Sequence, residues 1–109
     1  MLIGEWEKAI SDFDKSTEMG FVTSEIYCQR GNAYLNNSEL ESAITDYKLC
    51  LKIDPRKSKA HYSLGMVYRI LGESTLAIIE FQSYLENSPN APDSKLVQKW
   101  IDELKTESQ

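Results

Sequence analysis

The reading of the fold turns on SEIYCQRGNAYLNNSELESAITDYKLCLKIDPRK (residues 24–57), because SKAHYSLGMVYRILGESTLAIIEFQSYLENSPNA (residues 58–91) follows it in the same register. Displaced by 34 residues, Ser24, Gly31, Tyr34, Glu39, Ala43, Ile44, Leu51 and Pro55 fall on Ser58, Gly65, Tyr68, Glu73, Ala77, Ile78, Leu85 and Pro89. Asp46 and Tyr47 meet the near-matches Glu80 and Phe81, and upstream the run from Glu5 to Phe13 parallels Glu39–Tyr47 and Glu73–Phe81. Self-similarity at one such period marks a repeat architecture, in which each unit buries its apolar face only by stacking on a neighbour.

Each matched residue type has a physical task. Gly31 and Gly65 fall inside helical stretches, where glycine costs about 1 kcal/mol relative to alanine, so their use is to let two helices approach closely. Ala43, Ala77 and Ala9 are expected to face them. The rings of Phe13, Tyr34, Tyr47, Tyr68 and Phe81 are expected to fill the space between successive hairpins, each burying roughly 150–250 Å². Pro55 and Pro89 end helices, since proline cannot donate to the preceding turn. Asn36-Asn37-Ser38 and Leu71-Gly72 read as turns. The spacing predicts helices over 4–19, 24–36, 39–53, 58–71, 73–87 and 93–106.

These residues and their period resemble the tetratricopeptide repeat family, whose unit is a helix-turn-helix. The resemblance implies an all-α solenoid, a right-handed superhelix of about six antiparallel helices. It implies a single domain over 1–109, divided into a half repeat (1–23), two repeats (24–57 and 58–91) and a capping helix (92–109). In that last segment Leu96, Val97, Trp100, Ile101 and Leu104 form one stripe, as a terminal helix shielding the last repeat requires. At the front, the first helix of the first repeat has no counterpart. Phe21 stands where the repeat proline is expected, with Gly20 as the substitute helix stop. Leu2, Ile3, Trp6, Ile10 and Phe13 then form a partly uncovered apolar patch. Two expectations follow: that the chain is a fragment of a longer repeat protein whose upstream helices cover the patch, or that the patch serves self-association in a homo-oligomer.

A formal net charge of -5 argues against nucleic acid as a partner, since phosphate backbones need clustered Lys and Arg. No run approaches the apolar length of a membrane span, and acidic residues interrupt the start before any signal core could form. Membrane insertion is not expected, and a cytoplasmic location is. Cys28 and Cys50 are too few for a disulfide framework. They read as two reduced thiols; the family's slots imply that Cys28 lies in the groove, open to the surface, and that Cys50, where the family prefers a small residue, is buried and inert.

Catalytic constellations are missing from the sequence. The single histidine, His61, occupies a slot for a large packing side chain rather than a general base. Asp12, Asp46 and Glu80 recur in register but read as solvated helix faces rather than a metal row. Isolated glycines exclude a phosphate loop. The chain is therefore expected not to be an enzyme and to need no cofactor or metal.

The family resemblance implies instead a concave groove lined by the first helix of each repeat, in which a peptide of a partner protein lies. Its slots here are Cys28, Gln29, Asn32 and Asn36, then Lys59, Tyr62, Ser63, Met66 and Arg69, with Glu25, Leu35 and Ile70 beside them. Lys59 and Arg69 next to Tyr62 and Met66 suit an acidic or carboxylate-ended peptide. Of the residues with which one subfamily clamps the acidic tails of heat-shock chaperones, only Lys59 is matched; Gln29 and Ser63 replace an asparagine and an arginine. A co-chaperone-like clamp is the narrower alternative to a general interaction scaffold.

Overall fold

The computed structural model describes residues 3–20 and 22–107. Among them are six helices and no strand: α1 (Ile3–Glu18), α2 (Ser24–Asn36), α3 (Leu40–Ile53), α4 (Ser58–Ile70), α5 (Ser74–Asn87) and α6 (Ser94–Glu107). Each lies within a residue or two of its expected span. They fall into two compact units, Met1–Pro55 and Arg56–Gln109.

In the first unit α2 packs on both α1 and α3. Thr23 starts α2, its hydroxyl accepting the Ile26 amide at 3.2 Å, which satisfies one of the free donors of the first turn. The turn into α3 is closed by the Glu39 amide, which donates to the Tyr34 carbonyl at 2.9 Å, and by the Ser38 amide on Leu35. This closure needs one left-handed residue, and Ser38 adopts it with φ 63°. In the second unit α5 packs on α4 and α6, and the same turn recurs with Gly72 at φ 77° and Glu73 donating to Tyr68 at 2.8 Å. Gly20, at φ 86°, ends α1 in the same left-handed way; Phe21, beside it, lies outside the described residues.

The two hairpins are built on one contact, and it differs from the expected one. A methyl carbon placed on Gly31 would lie 2.9 Å from the Tyr47 ring, and one on Gly65 would lie 2.6 Å from the Phe81 ring. The glycines therefore make room for the rings of their own hairpins, not for Ala43 and Ala77. Those alanines are fully buried, as are Tyr47 and Phe81. In α6, Val97, Ile101 and Leu104 are buried, Trp100 is half-buried and Leu96 is exposed. Leu96 thus leaves the stripe expected to be covered, because α5 reaches only one side of the helix. No helix among the described residues is long and apolar enough to cross a membrane.

Candidate functional site

The first unit holds a charged centre that the sequence did not suggest. Arg30 on α2 donates from Nε and Nη2 to both carboxylate oxygens of Asp46 on α3, at 2.7 and 2.8 Å, and from Nη1 to Asp14 on α1 at 2.9 Å. A forked guanidinium on a carboxylate is among the strongest charge-assisted contacts. The hydrogen bond to Asp46 raises the Arg30 pKa further above its already high ordinary value, against the opposing pull of burial. Asp46 is buried, which corrects the expectation of a solvated face. Its counterpart Glu80 meets Nδ1 of His61 at 3.0 Å. Both are half-buried, so the acidic register holds hairpins together. Asp12 remains exposed.

The same unit corrects the cysteine reading. Cys28 on α2 and Cys50 on α3 form a disulfide, their Cα atoms 5.5 Å apart. Cys28 is therefore a buried bridge and not an open thiol. Of its expected groove companions, Gln29, Asn32 and Asn36 are exposed on α2. Gln29 donates to Glu25 at 3.0 Å. Asn36 donates to the Asn32 carbonyl at 2.8 Å, while the Asn32 side chain accepts from the Tyr47 hydroxyl. On α1, Trp6, Ile10 and Phe13 are half-buried. Leu2 lies outside the described residues, and Ile3 is described only as the start of the helix.

In the second unit Lys59 and Arg69 are exposed, and Tyr62, Ser63 and Met66 are half-buried. A residue not anticipated at this surface joins them: Trp100 of α6. Its ring lies 6.0 Å from that of Tyr62 and 5.6 Å from that of Phe81, and the Arg69 guanidinium sits 4.9 Å over its face. Tyr62 in turn meets Tyr84 at 5.2 Å. In the sequence Trp100 was indistinguishable from the buried stripe of the cap, since it shares the spacing of Ile101 and Leu104. Neither Lys59 nor Arg69 is ion-paired among the described residues. From Arg56 to Gly72 there is no acidic residue at all. The charge of the chain is correspondingly uneven: the first 55 residues hold ten acidic and five basic residues, and the remainder seven of each. Among the described residues no group of three or more His, Cys, Asp or Glu could hold a metal ion.

Helical hairpins repeated at one period, each closed by the same glycine-on-ring contact, define an all-α repeat solenoid, a class that generally serves protein interaction. Residues 24–57 and 58–90 each match the tetratricopeptide repeat, and the chain belongs to that family. Among curated proteins it is similar to anaphase-promoting complex subunit 3 of Schizosaccharomyces pombe, with 27% identity over 79% of this chain. The chain spans 13% of that relative's length. Its fold is shared by solved structures that include the following two. The Yersinia enterocolitica type III secretion chaperone SycD, in complex with a peptide of the translocator YopD, has a TM-score of 0.86 at 17% identity, covering 97% of this chain and 84% of that one. The TPR2B domain of yeast Sti1, in its pHsp70 complex, has a TM-score of 0.82 at 13% identity, covering 95% and 86%.

Proposed function

We propose that the chain is a protein-interaction module that binds an extended peptide segment of a partner, with the exposed face of α4, the first helix of the second hairpin, as the site. The observation that carries this reading is the α4 face. Two cations without carboxylate partners among the described residues, Lys59 and Arg69, flank Tyr62 and Met66, and Trp100 lies under the Arg69 guanidinium. A guanidinium held over an indole face is pre-oriented while its N–H donors stay open at the edge. An acidic peptide with an apolar side chain between its carboxylates fits such a surface. The two neighbours solved with peptide or protein partners support the reading at the level of the fold.

The test is a pull-down and titration comparing the native chain with a Lys59→Glu, Arg69→Glu double variant. Partners captured by the native chain are expected to be lost by the variant, whose helical circular dichroism stays native. Partners retained in full by the variant would move the site away from α4. The narrower reading, a clamp for carboxylate-ended tails, requires that amidating the peptide's C-terminus abolish binding. A cytoplasmic location belongs to the same proposal, and disulfides in that compartment are characteristically redox-active rather than permanent.

Self-association through α1 is the second reading. Among the described residues α1 packs on α2, and Trp6, Ile10 and Phe13 each keep part of their surface. Sedimentation showing a clean monomer at high concentration removes it.

A further inference from the structure

The repeat lets the two hairpins be compared slot by slot, and one slot is filled by different chemistry in each. Cys28 and Cys50 occupy the positions that Tyr62 and Tyr84 hold one period later. In the second hairpin these are two rings in contact at 5.2 Å, within a cluster that includes Phe81 and Trp100. In the first hairpin the same helix-to-helix contact is a single covalent bond between two sulfurs. Two tyrosines bury several hundred Å² between them, whereas two thiols are small. Reduced, the first hairpin would have neither the bond nor the rings, and would rely there on the Gly31–Tyr47 contact and the Arg30–Asp46 pair.

We propose that Cys28 and Cys50 form a reversible thiol–disulfide site for glutathione-type thiols, and that its state sets how firmly α2 and α3 are held together. This goes beyond peptide binding and does not depend on it. Cys28 as a residue keeps 8% of its surface and Cys50 none, so of the two sulfurs that of Cys28 is the one at which attack by an incoming thiolate is expected. Attack there forms a mixed disulfide, breaks the Cys28–Cys50 bond and leaves the electron pair on the Cys50 sulfur, which takes up a proton. A second glutathione then attacks the glutathione sulfur of the mixed disulfide and releases Cys28 as a thiolate, which is protonated in turn. Two glutathione molecules have become one glutathione disulfide, and the protein disulfide has become two thiols. Cys28 and Cys50 are the two cysteines of the chain, so no alternative pairing within it competes. The α2 residues whose order depends on the bond include Gln29 and Asn32, which neighbour Cys28 along the helix.

The experiment equilibrates the whole chain in buffers running from reduced glutathione alone to glutathione disulfide alone, with thiols counted by alkylation and mass spectrometry and amide exchange followed in parallel. The expected result is a reversible passage from two thiols to none. On reduction the amides of residues 24–53 should exchange on the order of 100-fold faster, the scale on which a crosslink closing a loop of 22 residues acts. Residues 58–87 should be unaffected. A Cys28→Ser, Cys50→Ser double variant should show the faster exchange in every buffer and no response to glutathione. A folded protein whose thiol count stays constant across the series overturns the proposal, whether it remains bridged or remains reduced. So does unchanged exchange over 24–53 on reduction.

Discussion

Arg30 shows how differently two carboxylates on one cation contribute. The side chains of Arg30 and Asp46 are 16% and 3% exposed, and that of Asp14 is 44% exposed. Removing one member of a buried pair leaves a charge without water or partner, which costs about 3–5 kcal/mol. An exposed pair contributes below about 1 kcal/mol. In urea denaturation Asp46→Ala is therefore expected to destabilise the chain by about 3 kcal/mol, the low end of that range because Arg30 keeps its contact with Asp14, and Asp14→Ala by less than about 1 kcal/mol. Ser38 makes a second prediction at this scale. It holds a left-handed conformation that costs an ordinary residue about 1 kcal/mol or more, and Gly72 holds the same conformation in the second hairpin with open space around its Cα. Ser38→Gly is expected to stabilise by about 0.5 kcal/mol after the entropy glycine adds to the unfolded chain, read as a higher denaturation midpoint.

Elements are tied to one another by a few side chains, and one such tie is sensitive to pH. The Tyr84 hydroxyl on α5 donates to Asp93, just ahead of α6, at 2.6 Å. Ionising the phenol would lose this bond and place two negative charges together. Its pKa is accordingly pushed up from 10.0 to about 12, with burial adding to the effect. Because the folded value lies above the unfolded one, the contribution to stability is complete below pH 10 and is lost as the pH rises towards 12. In an absorbance titration of the phenolates, Asp93→Ala is expected to bring one tyrosine back towards its ordinary range and to weaken the alkaline loss of stability. A titration curve unchanged by the substitution would count against the assignment. The helices themselves were legible from the sequence because period, proline and turn residues agree. The partner of each repeated glycine was not, because Ala43 and Tyr47 lie on one face of α3, and spacing alone does not say which of them meets Gly31.

For the whole molecule, net charge and local charge point in opposite directions. The chain carries -5, yet its excess acid belongs to the first unit, and α4 bears Lys59 and Arg69 with no acidic residue. An acidic peptide drawn to α4 binds through exposed cations, which salt screens over about 10 Å at 0.1 M. Its affinity is therefore expected to fall several-fold between about 0.05 and 0.5 M NaCl, measured by titration against the native chain. The Lys59→Glu, Arg69→Glu variant is expected to bind weakly at all salt concentrations, and a native affinity indifferent to salt would speak for an apolar ligand.

By itself the sequence determined the repeat, the six helices, the turns at Ser38 and Gly72 and the membership of a helical-repeat family. All of these are carried by local preferences and by one period, which any single chain displays. The tertiary structure alone decided what meets across the hairpins: Cys28 with Cys50, Arg30 with Asp14 and Asp46, and Trp100 with Tyr62 and Arg69. Two cysteines 22 positions apart look like separate thiols until two helices set their Cα atoms 5.5 Å from each other. The acid at position 46 looks solvated until Arg30 from the facing helix enters its side of α3. Such contacts depend on the relative rotation of packed helices, and the alternation of apolar and polar residues fixes that rotation only to within a neighbouring side chain.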